Sequence, residues 1–430
     1  MDSHRDPSLT TRELVEGLVS LAAAPPRTVD DELRADAVAH LCELDPATVS
    51  RECERYALQL TKSVWSGGWQ PVELVRQVRR TTDARTSQLA LLVIGADHAR
   101  RRAADLDARW ARQLDDLAIP RMQSAGGWLA GWAEREPANW ADAVRSAVTL
   151  LRCLASLTRL PFLIPPPGTN AGADTPIDLS ARTSDPILER VRALLAQAES
   201  TTFEAEAEAF TAKAQELMTR HAIDVAMVSA RADRAETPVS IRVPIDDPYF
   251  DAKALLLHYV AQSSRCRSVI HDRYAMSTVI GYAGDIAATE VLFTSLLVQA
   301  QAAMHATAAA APAGARARSR SFRSAFLTAY AHRIGARLAE INAGVIADAD
   351  AGRSILPVLA ARSAAVDTAV DEMFGELSRS RARRGYDPAG WASGHLAADR
   401  AQLTSGDLTR GDTAAERASN PVPLAELTGD

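Results

Sequence analysis

The sequence predicts a mainly α fold. An N-terminal helical domain is followed by a helical hairpin, then by a small α+β domain with a short β-hairpin flanked by long helices. Three observations carry this reading. Apolar residues recur at three- and four-residue spacing through most of the 430 residues. A proline-rich stretch interrupts that pattern once. Strict apolar–polar alternation, the mark of a half-buried strand, begins only near Ser240. The length suits two to four domains at roughly 150 residues each.

Residues 1–160 read as successive helices. Leu14, Val15, Leu18 and Leu21 form the stripe of the first, which Pro25 and Pro26 end. Val29 and Asp30 lead into a second, with Leu33, Ala37, Val38 and Leu41 expected on its inner face. Asp45-Pro46 opens a third, because an aspartate accepts free N–H groups and proline suits the first turn. Ser66-Gly67-Gly68 breaks the chain, and Gln70-Pro71 starts a helix carrying Val72, Val75 and Val78. Six of the seven tryptophans lie between Trp65 and Trp140. The segments Trp65–Trp69 and Trp128–Trp132 echo each other. The favoured reading is that aromatic rings fill gaps where helices cross over glycine; a duplicated helical unit is the alternative.

Residues 161–177 hold five prolines among 17 residues, so 161–185 is expected to be an extended linker. A helical hairpin is expected over 186–226. Ile187, Val191, Leu194, Leu195 and Ala198 form the stripe of its first helix. Ser200, Thr201 and Thr202 turn the chain, and Thr201 with Glu204 has capping-box spacing. In the second helix Ala207, Phe210, Ala214, Leu217 and Met218 should face inward, with Glu204, Glu208 and Glu216 in water. That helix is expected to fray over His221–Asp224.

An α+β domain is expected over 238–403. Ile241, Val243 and Ile245 alternate with Ser240, Arg242 and Pro244; the proline favours an edge strand. Leu255, Leu256, Tyr259 and Val260 return to helical spacing. Two β-prone runs, Cys266–Ile270 and Ser277–Tyr282, read as a hairpin. Gly284-Asp285 is expected to cap a long helix bearing Val291, Leu292, Leu296 and Leu297. After a glycine–alanine–serine break, Phe322, Phe326, Tyr330, Ile334, Leu338 and Ile341 mark another. Further helix is expected at 357–384 and 396–403, and residues 404–430 read as a polar, disordered tail.

Composition narrows function by exclusion. The formal net charge of −6 excludes a global basic field, though not local patches. No uninterrupted run of about 18 apolar residues is present, so no membrane span is expected. The first residues lack a basic segment followed by an apolar one, so no signal peptide is expected and the location is read as cytoplasmic. Cys42, Cys53, Cys153 and Cys266 form no CxxC pair and read as buried, reduced thiols. The phosphate loop, the dinucleotide glycine fingerprint, HExxH and GxSxG are all missing from the sequence. No cofactor and no metal site is therefore expected. Only three lysines occur, against abundant arginine and alanine, which points to a GC-rich coding sequence.

Residues 187–224 resemble the DUF2786 helical hairpin. The resemblance rests on Ala198, Ser200, Thr201, Glu204, Glu206, Lys213, Ala214, Gln215, Leu217, Met218 and Ile223, without a gap. Residues 239–345 resemble the DUF7168 domain, through the helix at Asp251–Cys266, the strand Thr278–Tyr282, Asp285 and the helix start at Ser321–Phe326. Gly68–Val75 resembles the leading region of actinobacterial members. The resemblance implies a cytoplasmic protein of bacteria or their phages. It implies no reaction and no catalytic residues.

Two constellations carry chemistry. His258, His271 and Asp285 are sequential neighbours that folding could bring to one metal or acid–base site, the basis of a hydrolase or nuclease reading. Against it, Asp285 suits an N-cap, Asp272 suits the hairpin turn, and His221 complements the end of its helix. Glu204 and Glu208 share a helix face that Glu206 does not, which fits a solvated first turn better than a cation site. The second constellation is basic. From Val291 to Ala339 there is no Asp or Glu but there are six arginines, of which Arg316, Arg318, Arg320 and Arg323 cluster at a helix start. Charge without neighbouring aromatics suits phosphate contact rather than base stacking. Arg379, Arg381, Arg383 and Arg384 form a weaker second run. The expected function is therefore a non-enzymatic interaction role, with nucleic acid or an acidic protein as partner through the arginine loop.

Overall fold

The computed structural model describes residues 11–25, 28–102, 105–120, 122, 127–135, 139–169, 186–200, 204–229, 236–312, 316–350, 355–375, 377 and 387–400. Contacts divide the chain into two compact units. One comprises 1–178 with 370–377, the other 179–369 with 378–430. The fold is mainly α with one small antiparallel sheet.

The first unit is built from eight described helices before residue 160: α1 (Thr11–Ala22), α2 (Asp31–Glu43), α3 (Pro46–Ser66), α4 (Pro71–Thr81), α5 (Ala84–His98), α6 (Ala108–Asp116), α7 (Trp128–Arg135) and α8 (Trp140–Ala155). Their starts follow the capping residues. Asp30, Asp45 and Asp83 each accept a backbone N–H at 2.8–2.9 Å. The inner stripes are shifted from expectation in the first two helices. Val15, Val19, Arg34, Ala37 and Leu41 are buried, whereas Leu14 and Leu33 are exposed. Five tryptophans from Trp65 to Trp132 are buried. Gly68 has φ +84, and a Cβ there would lie 2.1 Å from the Leu160 carbonyl oxygen. The glycine thus lets two backbones meet beside the Trp65 and Trp69 rings. Buried Glu54 accepts N–H bonds from Gly127 and Leu129 at the start of α7, a cap contributed from distant sequence.

The second unit contains α9 (Pro186–Ser200), α10 (Glu204–Ser229), β1 (Val239–Pro244), α11 (Phe250–Ser263), β2 (Arg267–His271), β3 (Met276–Gly281), α12 (Ala283–Ala310), α13 (Arg320–Asp350), α14 (Leu356–Phe374) as far as residue 369, and α15 (Pro388–Arg400). The sheet order is β1-β3-β2, all antiparallel, so the proline-bearing strand is an edge. Ile241 and Ser268 both lie opposite Val279, which fixes one face toward the helices. The hairpin turn is a 3-10 segment, Asp272–Tyr274, closed by Ala275 at φ +48.

One core draws on most of these elements. It includes Val191 and Leu195 of α9, Ala214 and Met218 of α10, Leu257 and Val260 of α11, and Leu292 and Leu296 of α12. Phe326, Tyr330 and Ile334 of α13 complete it. The hairpin therefore buries its apolar stripe against the following elements. α10 does not fray at His221–Asp224 but continues to Ser229, because Ile223 and Ala226 pack with Val345, Ile355 and Leu359 in a second cluster. Phe210 and Leu217 are half-buried. α12 is long and apolar enough, by length and composition alone, to cross a membrane, and half of its most apolar stretch is buried inside the unit.

Part of the expected organisation lies outside the described residues: 170–185 of the linker, the Thr201–Thr202 turn, the second arginine run and the tail beyond Thr404. The side chains of Glu204, Glu206 and Glu208 lie outside them as well.

Candidate functional site

The three residues considered for acid–base or metal chemistry have separate partners. His258, on α11, is hydrogen-bonded to the Ser268 hydroxyl at 3.0 Å. Burial and the neighbouring Arg267 guanidinium hold its pKa below the ordinary histidine value. His271, at the end of β2, is hydrogen-bonded to Thr278 across the sheet at 2.8 Å. Asp285 accepts from Arg265 at 3.2 Å and lies 4.0 Å from Arg362. Among the described residues no three His, Cys, Asp or Glu side chains converge closely enough to hold a metal ion. Asp285 is also not the N-cap expected from sequence. The helix begins at Ala283 with Tyr282 as N-cap, and Asp285 stands inside the first turn. A carboxylate there still favours the positive helix end.

His271 gives a direct pH test. Burial, with Arg242 adding to it, pushes its pKa down to about 4 from 6.5. A depressed histidine contributes stability that is present above its unfolded pKa and lost as pH falls toward the folded one. Between about pH 7 and about pH 4.5 this group should cost about 2 kcal/mol after allowance for partial exposure. In urea titrations at both pH values, His271→Gln should lose about that much less than wild type. Equal losses in the two proteins would remove His271 as the cause.

Asp285 belongs to a buried ionic cluster. Arg362, from α14, pairs with Glu236 at 3.3 Å and stacks over the Tyr282 ring at 3.4 Å. Burial raises the Asp285 pKa, and Arg265 and Arg362 oppose that rise. The cluster forms one wall of a cleft of about 460 Å³. Leu188, Met218 and Val225 line it from the helical hairpin, and Ala288 from α12. His221, Asp224 and Ser229 add polar lining from α10.

Other hairpin residues dock the pair of helices. Buried Gln215 donates to the Asn342 side-chain oxygen at 3.0 Å, and Thr219 donates to the same atom at 2.9 Å. Lys213 and Arg220 pair with Glu216 on the outer face.

The arginine loop lies at the start of α13. Arg316–Arg318 form a 3-10 turn, and the Ser319 hydroxyl accepts the Phe322 N–H at 3.2 Å. The Arg318 and Arg320 side chains are exposed, while the Arg316 side chain lies outside the described residues. Arg323 is half-buried, and its Nε is buried without a hydrogen-bond partner among the described residues. Within this acid-free stretch, Arg333 and Arg337 are engaged: Arg333 pairs with Asp399, and Arg337 donates to the Ala398 carbonyl. No described carboxylate pairs with Arg318, Arg320 or Arg323.

Sequence reasoning found the arginine loop through its missing acids. It missed Glu236, Arg265 and Arg362, which converge from three elements and carry no shared spacing signal.

Residues 187–225 match the family described as Protein of unknown function (DUF2786). The matched segment is α9 with most of α10, and it supplies seven of the fourteen residues lining the cleft. The chain has no significant match among curated proteins or solved structures.

Proposed function

We propose that the protein binds nucleic acid through phosphate contacts from the loop and helix start at 316–323, in an interaction role rather than a catalytic one. The observation that carries this is the set of Arg318, Arg320 and Arg323 at the N-terminal end of a 31-residue helix without carboxylate partners among the described residues. Several arginines among the described residues spend their charge on a nearby acid, as Arg267 does on Asp367 and Arg145 on Asp142. A guanidinium without such a partner keeps its donors for an external anion, and the positive helix end adds to the attraction. Arg323 Nε, buried and unsatisfied, would gain a partner from a bound phosphate oxygen. The aromatic rings nearest these arginines, Phe322 and Phe326, are buried in the core, which fits contacts to backbone rather than to bases. The net charge of −6 opposes association, so affinity should be modest and highest at low ionic strength.

In this reading residues 239–345 act as the DUF7168-like domain that presents the loop, in a cytoplasmic bacterial protein. Titrating labelled duplexes of two unrelated sequences with the full chain tests it. Similar affinities for both, falling steeply as salt rises, are expected. Absence of binding at low salt, or strong preference for one sequence with a shallow salt dependence, would exclude phosphate contact as the basis.

A further inference from the structure

The outward side of α12 carries an inference independent of the arginine loop. From Val291 to Ala310 the helix holds no Asp, Glu, Lys or Arg. Half of its most apolar stretch is buried, and Leu292, Leu296 and Met304 hold that side in the core. The opposite side faces outward, where a solvated helix ordinarily carries charge. Val298 there is 48% exposed. Glu290, Thr294 and His305 are exposed, and Leu297 and Gln301 are half-buried. At 3.6 residues per turn these six side chains fall within about 100° of one another, so they form one stripe. The stripe is palindromic. Glu290 and His305 lie equally far on either side of the Leu297–Val298 bond, and so do Thr294 and Gln301. Each pair is chemically complementary. A carboxylate accepts from an imidazole N–H, a side-chain amide both donates to and accepts from a hydroxyl, and the middle pair is hydrocarbon. Glu290 and His305 cannot meet within one copy, because they are about 22 Å apart along the helix. Among the described residues Glu290, Gln301 and His305 have no side-chain partner.

We propose that two copies of this chain associate through the outward stripe of α12, the helices antiparallel about a two-fold axis beside the Leu297–Val298 bond. A two-fold interface brings each residue to its counterpart across the axis. Glu290 then meets His305 of the second copy, and Thr294 meets its Gln301. The apolar pair lies at the centre and the polar pairs at the rim, which is the arrangement of a protein interface. A contact of one helix pair is small beside the roughly 1,200–2,000 Å² of stable interfaces, so the association should be weak, with a dissociation constant on the order of 10 µM.

Sedimentation velocity of the full chain, free of nucleic acid, over about 1–200 µM reads the association directly. The expected result is a reversible monomer–dimer equilibrium. Val298→Arg changes an exposed side chain, so the fold should persist. It sets two like charges beside the axis and should raise the dissociation constant at least about tenfold. Glu290→Lys should weaken the dimer several-fold, and adding His305→Glu should restore it. That rescue can arise only between copies. A chain that stays monomeric over the whole range, a dimer untouched by Val298→Arg, or a double variant no tighter than Glu290→Lys would overturn the proposal. So would a monomer that sediments with phosphatidylcholine–phosphatidylglycerol vesicles, which would assign the face to lipid. The charge exchange keeps the test decisive if Val298→Arg fails to fold.

Discussion

Gly394→Val is expected to destabilise the second unit by at least about 3 kcal/mol. α15 crosses α13 with backbone against backbone. A Cβ on Gly394 would lie 2.0 Å from the Phe326 carbonyl oxygen, and one on Gly390 would lie 2.4 Å from that of Phe322. Neither distance is compatible with van der Waals contact, and the facing atoms are helix backbone that cannot rotate aside. The helices must separate, which withdraws Ala398 from the core and disturbs the Arg337 bond to its carbonyl. Leu396 on the same helix is 49% exposed, so Leu396→Ala should stay within about 0.5 kcal/mol. Denaturant unfolding monitored on both variants checks this. A Gly394→Val protein as stable as Leu396→Ala would mean that the helices do not meet closely.

Arg265→Met should cost about 3 kcal/mol at neutral pH. It removes the direct donor to a 5% exposed carboxylate while keeping an apolar stem of similar length. Asp285 would then be buried with only Arg362 as cationic support. The sign of the pH dependence identifies the cause. Asp285 already has a raised pKa in the folded state, and losing Arg265 raises it further. Folding then favours the protonated acid, so the variant's deficit should shrink as pH falls through that folded pKa. Unfolding curves near neutral pH and near pH 5 make the comparison. A deficit that does not shrink at the lower pH would place the damage in packing rather than in the carboxylate.

Much of this fold was legible from local signals. Asp45-Pro46 opened α3, because caps act within one turn. Alternation marked β1, and its proline marked an edge. Local signals failed where partners are distant. The continuation of α10 past Asp224 depends on Ile355 and Leu359, more than a hundred residues later. Asp285 looked like a cap from its neighbours, yet its partners are Arg265 and Arg362. The need for glycine at 390 and 394 comes from the α13 backbone that they meet, a partner distant in sequence. At the candidate sites, the arginine loop could be read because an absence of acids along one stretch is a sequence property. The cleft could not, since its walls come from α9, α10, α12, α14 and the segment before β1.

The most direct measurement of the binding claim is the salt dependence of duplex affinity for wild type beside the Arg316, Arg318 and Arg320 triple alanine variant. These residues lie in a short turn and at a helix start, and the two whose side chains are described are exposed, so the fold should persist. If each arginine holds one phosphate, the slope of log affinity against log salt should fall by about 3, near 0.9 per contact. Identical slopes for the two proteins would contradict phosphate binding by this loop.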